Sequence, residues 1–169
     1  YEDLDKRYKE GDDWGCEDAD FFYLNPKPGG LYLNFGCGNT STAILKLRSK
    51  GWDLVGYEPY LPNSNSNIIK TKDELAKYKF DGILSNNLIE HLQDPVQDFL
   101  FMKSLLKNTV GLMCHSTACY DSKYEYSMFQ LYFFVDKSVD YLCANSGFKV
   151  KQIIRKPGTE YVNYIYEQV

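Results

Sequence analysis

The sequence predicts an α/β fold, a doubly wound and mostly parallel sheet of seven strands with an antiparallel hairpin at its C-terminal edge. Three observations point to it. From Gly29 onward short apolar runs alternate with segments of helical period, the pattern of a parallel sheet covered on both faces. The first run, Leu31-Tyr32-Leu33-Asn34-Phe35, leads into Gly36-Cys37-Gly38 and then a helix. The last two runs, Phe148 to Ile154 and Tyr161 to Tyr166, meet through Lys156-Pro157-Gly158-Thr159, which suits a hairpin rather than a crossover.

At 169 residues the chain is one domain with room for a sizeable core. Residues 1–28 read as an N-terminal extension or lid and 29–169 as the domain proper. The first part is acidic and aromatic, densest at Asp12-Asp13-Trp14-Gly15-Cys16-Glu17-Asp18. Leu4, Tyr8 and Lys9 hint at a short helix, and Asn25-Pro26-Lys27-Pro28 cannot continue one. Either this segment packs Trp14, Phe21, Phe22 and Tyr23 on the domain as a solvated extension, or it covers a ligand site.

The helix from Ser41 to Lys50 carries Ala43, Ile44 and Leu47 on one face and stops at Gly51, a natural residue just past a helix end. A second strand, Asp53 to Tyr57, ends at Glu58-Pro59, and Leu61 to Asn67 is a polar loop. Ile68-Ile69 is a short third strand and Asp73 to Tyr78 a short helix. Lys79 to Asn87 reads as the fourth strand. Asp94-Pro95 is a strong helix start, since Asp94 can cap free N–H groups and Pro95 sits where its missing N–H costs nothing. That helix carries Val96, Phe99, Leu100 and Leu106 toward the sheet. Val110 to Cys114 is the fifth strand, and a helix opening at Asp136 turns Val139, Leu142 and Cys143 inward and closes at Gly147.

The turn after the first strand points to a nucleoside pocket. Gly36 and Gly38 let the backbone take conformations that a side chain forbids, so a ligand can lie against the main chain. The following helix presents unpaired N–H groups. Glu58, twenty residues beyond Gly38, ends the second strand, where a carboxylate can accept both hydroxyls of a ribose. A dinucleotide site wants G-x-G-x-x-G/A, but the third position here is Ser41, so that fingerprint is incomplete. Asn86 and Asn87 fall at the carboxyl end of the fourth strand, where open α/β sheets bind ligands. Asp73 either reaches the adenine end of such a ligand or complements the start of its helix.

His91 and His115 are the only histidines, and both fall near carboxyl ends of predicted strands. Imidazole is the side chain best matched to taking a proton near neutral pH, so both are candidate bases, with loop orientation as the structural alternative. Glu90 is a further candidate. Two distant histidines, no C-x-x-C pair and scattered carboxylates give no metal-ligand spacing.

Composition narrows the partners. A net charge of −4 and no basic stripe disfavour a nucleic-acid surface. No apolar run is long enough for a membrane span. Cysteines 16, 37, 114, 119 and 143 are odd in number and read as reduced, buried thiols of a cytoplasmic protein. The 15 Tyr and 10 Phe, dense between Tyr124 and Phe134, serve as core or as walls around a flat substrate.

Three ordered blocks resemble one family. Leu33-Asn34-Phe35-Gly36-Cys37-Gly38-Asn39-Thr40 is similar to the first motif of the class I S-adenosylmethionine-dependent methyltransferases, roughly hydrophobic-D/E-x-G-x-G-x-G, with Asn34 in the acidic position and Thr40 in that of a third glycine. Phe80-Asp81 through Glu90-His91-Leu92-Gln93-Asp94-Pro95 resembles the F-D … E-H-hydrophobic-x-D-P segment of members that act on small molecules. Phe133-Phe134 through Gly147-Phe148 looks like the family's late segment. Together they cover Gly30 to about Lys151.

The resemblance implies a Rossmann-like sheet and S-adenosylmethionine as cofactor, contacted by Asn34, Gly36, Cys37, Gly38, Glu58, Pro59, Asp73, Asn86 and Asn87. It also implies methyl transfer to a small-molecule acceptor, at oxygen, with a sugar or polysaccharide precursor favoured by analogy, and Tyr124, Tyr126 and Phe129 shaping the acceptor site. Two other classes remain open: a non-catalytic domain of this fold that binds the cofactor or a partner, and a nicotinamide-dependent oxidoreductase, which the glycine spacing disfavours.

Overall fold

The computed structural model describes residues 16–38, 42–60, 66–107, 110–118, 131–132, 134, 137–155 and 161–169. The elements are, in order, α1 (Cys16–Tyr23), β1 (Leu31–Phe35), α2 (Thr42–Ser49), β2 (Asp53–Tyr57), β3 (Ile68–Ile69), α3 (Lys72–Leu75) and β4 (Gly82–Asn86). A 3₁₀ turn over Ile89–His91 follows, then α4 (Pro95–Leu105), β5 (Leu112–Ala118), α5 (Lys137–Ser146), β6 (Phe148–Arg155) and β7 (Tyr161–Gln168).

The seven strands lie in the order β3-β2-β1-β4-β5-β7-β6. The pairs from β3 through β5 are parallel, while β7 runs antiparallel to both β5 and β6. The C-terminal hairpin is therefore present, with β7 slotted against β5 and β6 left as the edge. From β1 the chain winds outward through β2 to β3, then returns to place β4 on the other flank of β1. That reversal makes a crevice above the carboxyl ends of β1 and β4, the place where open α/β sheets take ligands.

Alternation along the strands gives each face its own core. Leu33, Phe35, Ile83 and Met113 pack with Phe99, Met102 and Leu105 of α4 and with Val139 and Leu142 of α5. Tyr32, Leu54, Leu84 and Cys114 pack with Ile44 and Leu47 of α2 and with Phe21 of α1. At the opposite end from the crevice, Asp81 ties two strands together. Its Oδ2 accepts from Leu31 N–H at 2.8 Å and from Lys107 Nζ at 2.6 Å. Burial alone would raise this carboxyl; the hydrogen bonds from Lys107 and Leu31 outweigh it and hold it below its ordinary value. The Phe-Asp pair of the second block is thus a strand clamp, remote from the ligand edge.

Several boundaries differ from the sequence expectation. Helix α1 occupies part of the stretch read as an extension packing its aromatics on the domain or as a lid; Asp20 and Phe21, with Leu24 just past its end, are buried, whereas Phe22 is exposed. The expected helix near Leu4 and the Lys156 to Thr159 turn lie outside the described residues. Strand β5 begins at Leu112 and extends to Ala118, past Cys114, because its polar residues His115, Ser116 and Thr117 are laddered to β4 on one side, β7 on the other, or both. Helix α3 is a single turn. On α4 the helical period buries Pro95, Phe99, Met102 and Leu105, leaving Leu100 exposed rather than turned toward the sheet. Asp94 caps that helix as expected, its Oδ1 accepting from Gln97 N–H at 3.1 Å. Cys37, Cys114 and Cys143 are buried thiols. Among the described residues no helix is long and apolar enough to cross a membrane.

Candidate active site

The site begins with a turn that only glycine can make. Gly36 has φ +75° and Gly38 φ +68°. Gly36 N–H and Cys37 N–H both donate to Tyr57 O, at 2.8 and 3.2 Å, so the end of β2 folds the turn back on itself. A Cβ at Gly36 would lie 2.7 Å from Leu88 Cδ2, whereas one at Gly38 would meet nothing within 4 Å among the described residues. Gly36 is closed off by the loop after β4; Gly38 stands open at the crevice. Gly36→Ala is expected to lower the unfolding free energy by about 2 kcal/mol, from a left-handed backbone combined with overpacking. Urea denaturation checks this, and adding Leu88→Ala should return part of the loss.

Glu58 sits beside that opening and is nearly buried, at 7% exposed. Its Oε2 accepts from Gly38 N–H at 3.3 Å and its Oε1 from Tyr60 N–H at 3.1 Å. Its own N–H is held by Ile69 O at 3.1 Å. The carboxylate is thereby fixed in place with both oxygens ready to exchange long backbone contacts for ligand hydroxyls. Pro59 is half-buried beside it and Tyr60 is largely exposed.

Cys37 turns inward instead. A Cβ on Gly56 would come within 2.6 Å of its Sγ and 2.5 Å of Ile44 Cδ1, so Gly56 is the gap that accepts both side chains. Cys37 can therefore meet a ligand only through its backbone. Asn34 is also buried, between Gly56 of β2 and Leu84 of β4, and among the described residues its Nδ2 has no hydrogen-bond partner. An orphaned buried amide two residues before the turn is a donor that a ligand oxygen or an ordered water would satisfy. Asp73 is exposed in the first turn of α3, where Thr71 Oγ1 accepts from Glu74 N–H and the acidic charge complements the helix start.

Across the crevice β4 ends in Asn86 and Asn87. Asn87 takes φ +46°. Its N–H donates to Ser116 O at 2.9 Å and its Nδ2 to Tyr161 Oη at 3.3 Å, which hold it in that rarely populated conformation. Asn86 Nδ2 donates to Asp20 Oδ2 at 3.2 Å and to Ser116 Oγ. Asp20, Ser116 and Asn163 are buried partners that the sequence reading did not single out. For Asp20 the only signal was its helical spacing to Leu24.

The two histidines part company. His91 is half-buried in the 3₁₀ turn just above β4. His115 is fully buried below the crevice, its Nδ1 bonded to Ser85 Oγ and its ring packed on Phe99 and Tyr166. Burial pushes it down to about 3, which keeps the imidazole neutral, and its Nε2 has no partner among the described residues. Glu90, beside His91, is 2% exposed, and its Oε2 has no partner among the described residues. Burial raises its carboxyl above the ordinary value, against the opposing influence of its own backbone N–H, His91 and a hydrogen bond with Thr117. Tyr124, Tyr126 and Phe129 lie outside the described residues. Among the described residues no group of three or more His, Cys, Asp and Glu could hold a metal ion.

A family model described as a methyltransferase domain matches residues 16–159. No curated protein sequence matches the chain. Among solved structures it is similar to the 1,6-didemethyltoxoflavin-N1-methyltransferase of Burkholderia thailandensis, solved with 1,6-didemethyltoxoflavin and S-adenosylhomocysteine bound (17% identity, 99% of this chain and 86% of that one, TM-score 0.72). It is also similar to an S-adenosylmethionine-dependent methyltransferase from Archaeoglobus fulgidus (13% identity, 98% of each chain, TM-score 0.68). A third likeness, to a mitomycin 7-O-methyltransferase, has 10% identity and a TM-score of 0.64, over 91% of this chain and 53% of that one. At such identities these likenesses are of fold.

Proposed function

Since this chain belongs to the class I S-adenosylmethionine-dependent methyltransferases, we propose that it methylates the oxygen of a small-molecule acceptor held above the carboxyl ends of β4 and β5. The observation that carries the reading is Glu58, fixed by two backbone N–H groups beside the open Gly38 at the reversal of strand order.

The residues present fit the donor nucleoside. Glu58 would accept the ribose hydroxyls, Gly38 gives clearance for close approach, and the unpaired Nδ2 of Asn34 offers a donor near the turn. Cys37 contributes through its backbone, and Pro59 flanks the ribose end. When bound, S-adenosylmethionine supplies a sulfonium methyl whose carbon–sulfur bond breaks as the acceptor oxygen bonds to carbon, leaving a neutral thioether. The protein's work is then in-line positioning and exclusion of water.

The acceptor hydroxyl must release a proton, and His91 is the base proposed. Its half-burial in the 3₁₀ turn that follows β4 supports this, whereas His115 is walled off against Phe99 and Tyr166. Nitrogen is the competing acceptor atom, because the structural neighbours include an N1- and a 7-O-methyltransferase. A sugar-like acceptor remains the favoured class by analogy.

Methyl transfer from labelled S-adenosylmethionine to a panel of hydroxyl- and amine-bearing small molecules tests the reading. Turnover confined to hydroxyl acceptors supports it; turnover confined to amines overturns the oxygen assignment, and binding without turnover on any acceptor favours the non-catalytic alternative. His91→Ala should lower kcat about 100-fold or more without a matching loss of cofactor affinity. Unchanged kcat in that variant removes His91 from the base role.

A further inference from the structure

The amide of Asn86 is held from an unexpected direction. Helix α1 inserts Asp20, which is fully buried, against the ends of three strands. Asp20 Oδ1 accepts from Asn163 Nδ2 of β7 at 2.6 Å, and Oδ2 accepts from Asn86 Nδ2 of β4 at 3.2 Å. Asn86 Nδ2 also donates to Ser116 Oγ of β5. A carboxylate only accepts, so the group of Asn86 that faces Asp20 must be its NH₂. Both amide hydrogens are then committed on the β5 side of β4. The amide oxygen is left on the other side, toward β1 and the Gly36–Gly38 turn, because β4 lies between β1 and β5.

We infer that Asp20 is a positioning residue of the active site, orienting Asn86 so that its Oδ1 is offered to the ammonium group of the bound methyl donor. The inference rests on the methyl-donor reading above. With Glu58 taking the ribose above β2, the rest of the donor extends across β1 toward β4. In that amino-acid part the ammonium is the only hydrogen-bond donor, and a carbonyl oxygen backed by a buried carboxylate is its complement. Ser116 and Asn163 complete the arrangement, the first by taking the second amide hydrogen and the second by anchoring Asp20 to β7. On this view α1 is part of the site through one buried side chain rather than a cover laid over it.

The test compares S-adenosylhomocysteine with its deaminated analogue by calorimetry. Wild type should prefer the amine-bearing ligand by about tenfold or more, the worth of one charge-assisted hydrogen bond. In Asp20→Asn the new amide can donate to Asn86, whose own amide then turns over; the preference should fall to near unity. The swap Asp20→Asn with Asn86→Asp restores an acceptor facing the crevice and should regain the preference. A merely structural Asp20 would lower stability and weaken both ligands alike, and an unchanged ratio in folded Asp20→Asn overturns the inference. Should that variant not fold, Asn86→Ala, which leaves the Asp20–Asn163 anchor in place, must equalise the two ligands; a preserved preference overturns the inference there too. Equal binding of both ligands by wild type also overturns it while leaving the methyl-donor reading intact. Failure of folded wild type to bind either ligand overturns the methyl-donor reading itself, and the inference with it.

Discussion

Glu58→Ala is expected to weaken S-adenosylhomocysteine binding by at least about a hundredfold. A carboxylate that accepts two ribose hydroxyls makes two charge-assisted hydrogen bonds, each worth about 1.5–3 kcal/mol when the partner is otherwise left unpaired. A hundredfold corresponds to about 2.7 kcal/mol, so the loss is conservative. Alanine also releases Gly38 N–H and Tyr60 N–H, which Glu58 now restrains. Glu58→Gln separates the two effects. Its carbonyl oxygen can keep one backbone contact and one ribose hydroxyl, so an intermediate loss is expected. Calorimetry with S-adenosylmethionine and S-adenosylhomocysteine, and NAD as control, provides the measurement, and near-wild-type affinity in folded Glu58→Ala would remove Glu58 from the site. Tighter binding of NAD than of the sulfur nucleosides would revive the oxidoreductase reading.

The second large effect is a dependence of stability on pH to which His115 and Glu90 contribute with opposite signs. His115 is held neutral, its folded value depressed by burial from 6.5 to about 3. The unfolded chain therefore binds a proton that the folded chain refuses, and stability is lost as pH falls from about 6.5 toward 3. Fully expressed, the loss is on the order of 5 kcal/mol, a large share of a domain's total. Glu90 works in the opposite direction. Burial raises its folded value above the ordinary 4.5, so its contribution is intact below that pH and is lost as pH rises through the folded value. Chemical denaturation across pH should show the rise in stability from pH 3 to 6.5 flattened in His115→Gln, and the opposing loss that sets in above about pH 4.5 removed in Glu90→Gln. If His115→Gln titrates like wild type between pH 3 and 6.5, the acid loss originates elsewhere.

The two variants also bear on chemistry. A neutral His115 with Nδ1 tied to Ser85 and a ring between Phe99 and Tyr166 is a core residue that happens to lie under the crevice. His115→Gln should change stability far more than kcat. Glu90 differs, since its unpaired oxygen lies in the same 3₁₀ turn as His91, and its protonation bears on any proton the acceptor releases.

Much of the architecture was legible in the residue pattern. Apolar runs of two periods, the glycine turn, the Asp94-Pro95 start and the glycines at 51 and 147 are local signals, because strand alternation, left-handed φ and helix caps are set by a few neighbouring residues. The distance from Gly38 to Glu58 was equally informative, since one helix and one parallel strand return the chain to the same edge. These local signals account for the sheet, its C-terminal hairpin and the pairing of Gly38 with Glu58.

Burial of polar groups was decided only by the tertiary structure. Asp20 lies in an acidic segment read as a solvated extension or a lid, yet it is fully enclosed because Asn86 and Asn163 arrive from strands far along the chain to donate hydrogen bonds to its carboxylate. Strand β5 looked finished at Cys114 because His115, Ser116 and Thr117 are polar, yet pairing with β4 carries it to Ser116 and pairing with β7 carries it on to Ala118. His91 and His115 were indistinguishable as letters; one tops a strand and the other is sealed beneath two aromatic rings. The physical reason is common to all three. Whether a polar side chain faces water or core depends on partners supplied by distant segments, and one-dimensional periodicity holds no record of them.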